Sequence, residues 1–107
     1  MKSVTQVVEA NLSNSSFTVD ILAHEIGMSR NVFFKKFNSL AGTHPNDFIR
    51  DYRLNRAAKL LNDGAHDIAQ IAFEVGFEYA NYFARCFKDK FGKSPSEYAK
   101  SVVLSNA

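Results

Sequence analysis

Residues 22–42 read LAHEIGMSRNVFFKKFNSLAG, and residues 71–92 read IAFEVGFEYANYFARCFKDKFG. The two stretches match in residue character, first at an offset of 49 residues and then, after one inserted residue, at an offset of 50. In each stretch a small alanine and a glycine turn are followed by two phenylalanines that lie one helical turn apart. The chain therefore contains one structural unit twice, and this duplication decides the fold.

Each copy predicts two helices joined by a short turn. Gly27 ends the first helix, because glycine enters the left-handed conformation without strain, and Ser29 is a good N-cap for the second helix. A turn of this length with a glycine in it is typical of a helix-turn-helix. The residues expected to pack the two units are Ala23, Gly27, Phe33 and Phe37 in the first copy and Ala72, Gly76, Phe83 and Phe87 in the second.

Apolar periodicity and capping residues predict the other helices. A first amphipathic helix is expected over residues 3–13, and Pro45 suits the first turn of the longest helix, which runs to Asn62. Residues 94–97, Ser-Pro-Ser-Glu, form a capping box before a last helix. We expect an all-α fold of about seven helices in one domain, with two helix-turn-helix subdomains, 1–44 and 63–107, joined by the long central helix in 45–62.

The inner faces of the second helices follow from the same periodicity. We expect the third helix to bury a stripe of Val32, Phe33, Lys36, Phe37 and Leu40. The equivalent stripe of the sixth helix is Tyr82, Phe83, Cys86, Phe87 and Phe91. Residues 103–107 are expected to fray at the end of the last helix.

Composition excludes several classes of protein. The chain has 107 residues, of which 46% are hydrophobic and 22% are charged, so it is neither a disordered tail nor a membrane protein. Cys86 is the single cysteine, which rules out an intramolecular disulfide and gives no thiolate cluster for zinc. The first residues lack the apolar run of a signal peptide. We expect a soluble, cytoplasmic chain without a metal ion or a cofactor.

The charge distribution is more informative than the net charge of +2. Residues 29–42 carry Arg30, Lys35 and Lys36 and no acidic residue. Basic blocks recur at 50–60 and 80–93, whereas 61–79 is acidic. Recurring basic blocks are expected where one face of a protein meets phosphates, although ordinary solvated faces explain such a charge pattern as readily.

The sequence resembles the AraC/XylS family of bacterial transcription regulators from about Val4 to about Tyr98. The first unit carries Leu22-Ala23-x-x-Ile26-Gly27-Met28-Ser29, and the connecting helix carries Arg53-Leu54-x-x-Ala57. The second unit carries Ile71-Ala72-x-x-Val75-Gly76-Phe77 and then Tyr82-Phe83-x-Arg85-x-Phe87-Lys88-x-x-Phe91-Gly92-x-x-Pro95. Segments 27–37 and 45–50 look most like output domains of hybrid two-component systems of Bacteroides-type bacteria. The resemblance implies double-stranded DNA as the partner and RNA polymerase as a further one.

An α-helix fits the major groove, where each base pair presents its own donor and acceptor pattern. By resemblance, Asn31, Phe34 and Lys35 occupy base-reading positions, with Arg30 beside them. The corresponding contacts of the second unit are expected from Asn81 and Arg85, while Ala80 and Ala84 offer no directional contact. Asparagine suits adenine, lysine or arginine suits guanine, and Phe34 would pack on a thymine methyl group or, alternatively, be buried elsewhere.

Contacts to phosphate are expected from basic side chains and from the amide ends of helices. These residues are Ser29, Lys36, Asn46, Arg53, Arg56, Lys88, Lys90, Lys93 and Ser94. The central helix of residues 46–62 spans roughly 25 Å at about 1.5 Å per residue. It could therefore hold two recognition helices on one side of the molecule near the ~34 Å separation of consecutive major-groove faces, with some bending of the DNA.

Two other classes of function compete with this one. An enzyme is disfavoured, because His24, His44 and His66 lie far apart without metal-ligand spacing and no nucleophile motif is present. A protein-interaction module remains an alternative, which would fail to bind random duplex DNA at low salt. We expect an excised output domain rather than a stand-alone regulator. It would be monomeric without DNA, and would contact neither a small-molecule ligand nor a membrane, although the full-length parent could be anchored in the inner membrane.

Overall fold

The computed structural model describes residues 3–64 and 67–105, and within these ranges it contains helices and no strand. The all-α prediction is therefore confirmed for the described residues. The molecule measures 48 × 24 × 24 Å along its principal axes. The helices are α1 (Val4–Ala10), α2 (Val19–Ile26), α3 (Arg30–Ala41), α4 (Pro45–Asn62), α5 (Ile68–Glu74), α6 (Ala80–Phe91) and α7 (Pro95–Ser105).

Short polar side chains begin most of these helices. Thr18 Oγ1 accepts a hydrogen bond from the Ile21 amide at 3.3 Å, which satisfies one of the amides that the first turn of α2 leaves without a partner. The predicted capping box at the start of α7 is present, since the Glu97 amide donates to Ser94 Oγ at 3.2 Å and the Ser94 amide donates to Glu97 Oε1 at 3.1 Å. These caps fix where each helix starts.

Two clusters of buried side chains lie one in each unit. The first cluster joins α1, α2 and α3 to the N-terminal part of α4, and the second joins α5 and α6 to the C-terminal part of α4. Because α4 contributes Ile49 to one cluster and Leu54, Ala57 and Leu61 to the other, the two units share this helix as a common wall. The fully buried rings of Phe83 and Phe87 lie at the centre of the second cluster.

Arg53 joins the two units at the middle of α4. Its side chain is only 9% exposed. One terminal nitrogen donates to the Gly76 carbonyl and the other to the Asn14 carbonyl, both at 2.9 Å. The sequence predicted that Arg53 contacts DNA phosphate, but a guanidinium held by two backbone carbonyls inside the protein cannot reach a phosphate directly. Arg53 therefore stabilises the packing of the two units instead of contacting phosphate.

The expected inner stripes were wrong at several positions. Val32 is 46% exposed, Lys36 is exposed, and Leu40 in the last turn of α3 is 89% exposed. The stripe that faces the core is narrower, with Phe33 buried and Phe37 half-buried, because Val32 and Lys36 point away from the Phe33 side of α3. Tyr82, at the repeat position of Val32, is likewise exposed.

The ends of the chain differ from expectation in two places. Helix α1 ends at Ala10, because Asn11 caps it and donates its side-chain amide to the Val7 carbonyl at 2.8 Å. Helix α7 continues to Ser105, so the expected fraying does not begin at Val103. Residues 106–107, which shared that expectation, and His66 lie outside the described residues.

Candidate nucleic-acid interface

Helix α3 presents a polar face directly after the first glycine turn. Gly27 adopts φ +88°, and the Ser29 hydroxyl accepts from the Val32 amide at 3.4 Å, so the helix begins at Arg30. Phe33 packs inward, and Asn31 and Lys35 consequently lie on the exposed side. Both side chains therefore face solvent.

Arg30 is exposed but already has a partner. Its Nε lies 3.2 Å from Asp20 Oδ1 in α2, and both side chains are more than half exposed. An ion pair of this kind contributes about 1 kcal/mol or less, because water screens it. Arg30 can therefore exchange Asp20 for another hydrogen-bond acceptor at little cost.

Phe34 is half-buried, and its ring packs edge-on against the His44 imidazole with the ring centroids 4.3 Å apart. Much of the Phe34 side chain therefore packs against its own protein, as the alternative expectation stated. Val32 is the more exposed apolar side chain on the outward face of α3, beside Asn31 and Lys35. Sequence patterning missed it, since an isolated valine in a helix reads as a core residue.

Helix α6 repeats this arrangement with different side chains. It has 12 residues, as α3 does, and Asn81 and Arg85 occupy the exposed positions of Asn31 and Lys35. Ala80 is exposed and Ala84 is half-buried, so neither adds a polar group. Tyr79 stands where the first unit has Ser29, and its side chain makes no capping hydrogen bond.

The basic residues predicted to contact phosphate fall into three groups. Lys36, Lys88 and Lys93 are exposed, and no ion pair with a carboxylate is found for them within the described residues. Lys90 lies 3.8 Å from Asp51 and over the Phe91 ring. The two arginines are already hydrogen-bonded within the protein: Arg53 is buried, and the half-buried Arg56 pairs with Glu9.

Glu9 accounts for the position of Arg56. The Tyr52 hydroxyl donates to one Glu9 oxygen at 2.5 Å and Arg56 donates to the other, and these two hydrogen bonds lower the pKa of Glu9. The glutamate therefore stays ionised and retains Arg56 against α1. Arg56 is less available to phosphate than the sequence predicted.

The predicted amide ends are partly occupied by the protein itself. The Asn46 amide donates to His44 Nδ1 at 3.1 Å, while the Asn46 side chain is exposed. The Ser94 amide is bonded to Glu97, and the resulting backbone and hydroxyl hydrogen bonds lower the pKa of Glu97. The Asn46 and Ser94 amides are therefore occupied by hydrogen bonds within the protein.

Two features are absent from residues 3–64 and 67–105: a cluster of three metal-ligating side chains and a membrane-spanning helix. There, no three histidine, cysteine or acidic side chains come close enough together to ligate a metal ion. None of the described helices has both the length and the apolar character that a membrane-spanning segment needs.

Comparison with known proteins gives the family. The family described as "Helix-turn-helix domain" matches residues 22–101. A solved structure from Chromobacterium violaceum, a transcriptional regulator with an AraC-type DNA-binding domain, superposes with a TM-score of 0.84 at 28% identity, covering 92% of this chain and 88% of its own. The chain belongs to the AraC-type helix-turn-helix family.

Two further proteins are similar to this AraC-type chain. It is 40% identical over 98 residues to a protein named histidine kinase P4 from Formosa agariphila, covering 92% of this chain but 7% of that protein. The DNA-binding domain of AdpA, a global transcriptional factor solved in complex with a target DNA, has a TM-score of 0.86 at 26% identity, with 98% and 96% of the two chains covered. Against the next two curated relatives, the AraC-type chain spans 29% and 32% of their lengths.

Proposed function

We propose that the chain binds double-stranded DNA at specific sequences and regulates transcription, with α3 and α6 in successive turns of the major groove. The observation that carries the proposal is the paired exposure of Asn31 and Lys35 on α3 and of Asn81 and Arg85 on α6. These positions are equivalent in the internal repeat, and each pair follows a glycine turn and lies opposite buried phenylalanines. The AdpA domain, which was solved on DNA, shares the whole fold.

The central helix determines the separation of the two recognition helices. Helix α4 has 18 residues and spans roughly 27 Å at about 1.5 Å per residue. Consecutive major-groove faces lie ~34 Å apart on straight DNA. The difference favours a bent duplex, and bending a site of this size costs a few kcal/mol, on the order of 1–6. The division into units 1–44 and 63–107 with a connecting helix at 45–62 is part of this proposal.

The first test removes one polar contact from each unit. We expect Asn31→Ala and Arg85→Ala each to weaken binding to the selected site by roughly 1–3 kcal/mol and to change binding to random duplex little, because direct base contacts carry sequence information. The measurement is a titration at fixed salt against a site selected from randomised duplexes. Asn55→Ala, at an exposed position of α4, is the matched control. Equal losses on both duplexes would exclude base reading by the substituted residue.

A second test concerns the exposed valine of α3. We propose that Val32, rather than the half-buried Phe34 alone, supplies the apolar contact to a thymine methyl group. Replacing the contacted thymine by uracil is expected to weaken the unsubstituted protein about three- to tenfold, whereas Val32→Ala should show little of this discrimination. Phe34→Leu is the comparison variant. If Val32→Ala discriminates thymine from uracil as well as the unsubstituted protein does, the contact belongs to another residue.

Phosphate contacts are proposed for the exposed basic residues and for the residues at three helix starts. This set consists of Lys36, Lys88, Lys90 and Lys93 together with Ser29, Asn46 and Ser94. Such contacts set register and add salt dependence but carry no sequence information. Removing one of these contacts is expected to weaken binding to all duplexes alike, whatever their sequence.

The role of the chain in its parent protein is a further proposal. The match to 7% of a histidine kinase supports an output domain of a larger sensor and regulator, as in a hybrid two-component system. We propose that the domain works in the cytoplasm as a non-catalytic DNA-binding unit, is monomeric without DNA, and contacts RNA polymerase at the promoter. The parent could be anchored in the inner membrane through other segments.

A further inference from the structure

A cleft of about 400 Å³ lies between the two units. Its walls are the segment after α1, with Ser15, the N-terminal half of α4, with Arg50, and the first turn of α6, with Tyr79 and Tyr82. Tyr82, which lines the cleft, is the sequence neighbour of Asn81, one of the proposed base-reading residues. Of the residues proposed above to contact DNA, Asn46 lines this cleft, whereas Arg50 and Tyr82 have no role in that proposal.

Arg50 stands on the rim of the cleft with a weak partner. One of its terminal nitrogens lies 3.0 Å from Asp47 Oδ1, and both side chains are nearly half exposed, so the pair exchanges readily with other acceptors. Partial burial disfavours the charge, but the Asp47 carboxylate and the nearby Tyr82 hydroxyl raise the pKa of Arg50. Arg50 and Tyr82 both line the cleft.

Among the described residues, no carboxylate forms an ion pair with a second cation at the cleft. Arg53 lines it, and the terminal nitrogens of Arg53 bond to carbonyls rather than to carboxylates. Its Nε is buried, and no hydrogen-bond partner for it is found among the described residues. Burial lowers the pKa of Arg53. Glu78 also lines the wall but is exposed to water. The interior of the cleft is therefore positive.

The start of α6 adds to this field. Helix α3 is capped by the Ser29 hydroxyl, whereas Tyr79, 66% exposed, gives α6 no side-chain cap. The first amides of a helix carry a partial positive charge and accept an anion as their cap. The 12-residue α6 thus points an uncapped positive end at the same cleft that Arg50 and Arg53 line.

We propose that this cleft binds one phosphodiester group of the DNA between two half-sites, which are the stretches of major groove that α3 and α6 enter. Arg50 leaves Asp47 and donates to the phosphate, the Tyr82 hydroxyl donates to a second oxygen, and the first amides of α6 cap it. The inference rests on the proposed function, because α6 must enter the major groove for the adjoining backbone to reach the cleft. DNA is favoured over an acidic protein segment because the cleft wall is the same helical turn that carries Asn81.

The experiment replaces single phosphates by uncharged methylphosphonates along the central segment of a selected duplex. With the unsubstituted 107-residue chain, replacing the phosphate at one particular linkage is expected to lower the affinity about tenfold. This is the factor that one charge-assisted hydrogen bond supplies. Arg50→Gln should bind the all-phosphate duplex about tenfold more weakly and should be insensitive to the replacement of that linkage. The slope of the logarithm of its binding constant against the logarithm of the salt concentration should be smaller by about one. Arg50→Lys should keep the slope. Lys59→Gln, an exposed charge near the other end of α4, is the matched control.

The outcomes separate the two proposals. A linkage that matters to the unsubstituted chain and not to Arg50→Gln establishes the phosphate site, provided that circular dichroism shows both proteins folded. Equal sensitivity of the two proteins at every central linkage overturns the inference while leaving DNA binding intact. Insensitivity at all central linkages also overturns it and assigns the cleft to an acidic segment of a protein partner. Failure of the unsubstituted chain to bind any duplex overturns the proposed function and this inference together.

Discussion

Gly76→Ala is expected to destabilise the folded chain by more than about 3 kcal/mol. A Cβ atom at this position would lie 2.2 Å from the Leu12 carbonyl oxygen and 2.8 Å from the Arg53 guanidinium carbon, and φ is +90°. The left-handed conformation costs an alanine roughly 1–2 kcal/mol by itself. The contact with a backbone oxygen adds to this, since a backbone atom cannot move aside as a flexible side chain can.

Gly27 provides the control, because it is the repeat equivalent of Gly76. It has φ +88°, and a Cβ atom added there would meet nothing within 4 Å. Gly27→Ala should therefore cost only about 1–2 kcal/mol. Urea unfolding followed by circular dichroism measures both values. Equal losses for the two variants would mean that the segment around Leu12 yields to the new methyl group and does not constrain the second turn.

Arg53→Ala is expected to lower the free energy of unfolding by about 3 kcal/mol. The substitution leaves the Gly76 and Asn14 carbonyls without their donor inside the protein. Each hydrogen bond from a charged group contributes roughly 1.5–3 kcal/mol, and relief of the buried charge offsets part of the loss. The net effect is destabilising because two acceptors lose their partner at once.

Arg56→Ala is the matched control, one turn along the same helix. Arg56 pairs with Glu9 at the surface, so its removal should cost about 1 kcal/mol or less. Thermal and urea unfolding of both variants give the comparison. Arg53→Ala proteins as stable as Arg56→Ala proteins would show that desolvation of the buried guanidinium cancels its two hydrogen bonds.

The internal repeat made much of the fold predictable. Glycines and hydroxyl caps act locally, so Gly27, Ser29 and the Ser94–Glu97 box could be located without knowledge of distant contacts. The exposed Asn31 and Asn81 followed from the position of the phenylalanines that face inward on the same helices. Sequence reasoning succeeds where the cause of a structure lies within one or two helical turns.

The errors arose where a distant partner decides the environment. Arg53 bonds to carbonyls 39 and 23 residues away, and its position in a basic stretch of α4 suggested solvent instead. Phe34 packs on His44 across the end of α3, which periodicity on one helix cannot reveal. The cleft with Arg50, Tyr79 and Tyr82 escaped the sequence because three separate segments form its walls.

The sharing of α4 by both buried clusters has a consequence for the promoters that the chain would recognise. Neither unit can swivel relative to the other without pulling Ile49 or Leu54 out of its cluster, so the distance between them is set by protein, not by DNA. Inserting one base pair between the half-sites would turn the outer half-site by about 35° and shift it by about 3.4 Å. Operators for such a protein should therefore tolerate base changes far better than changes in length.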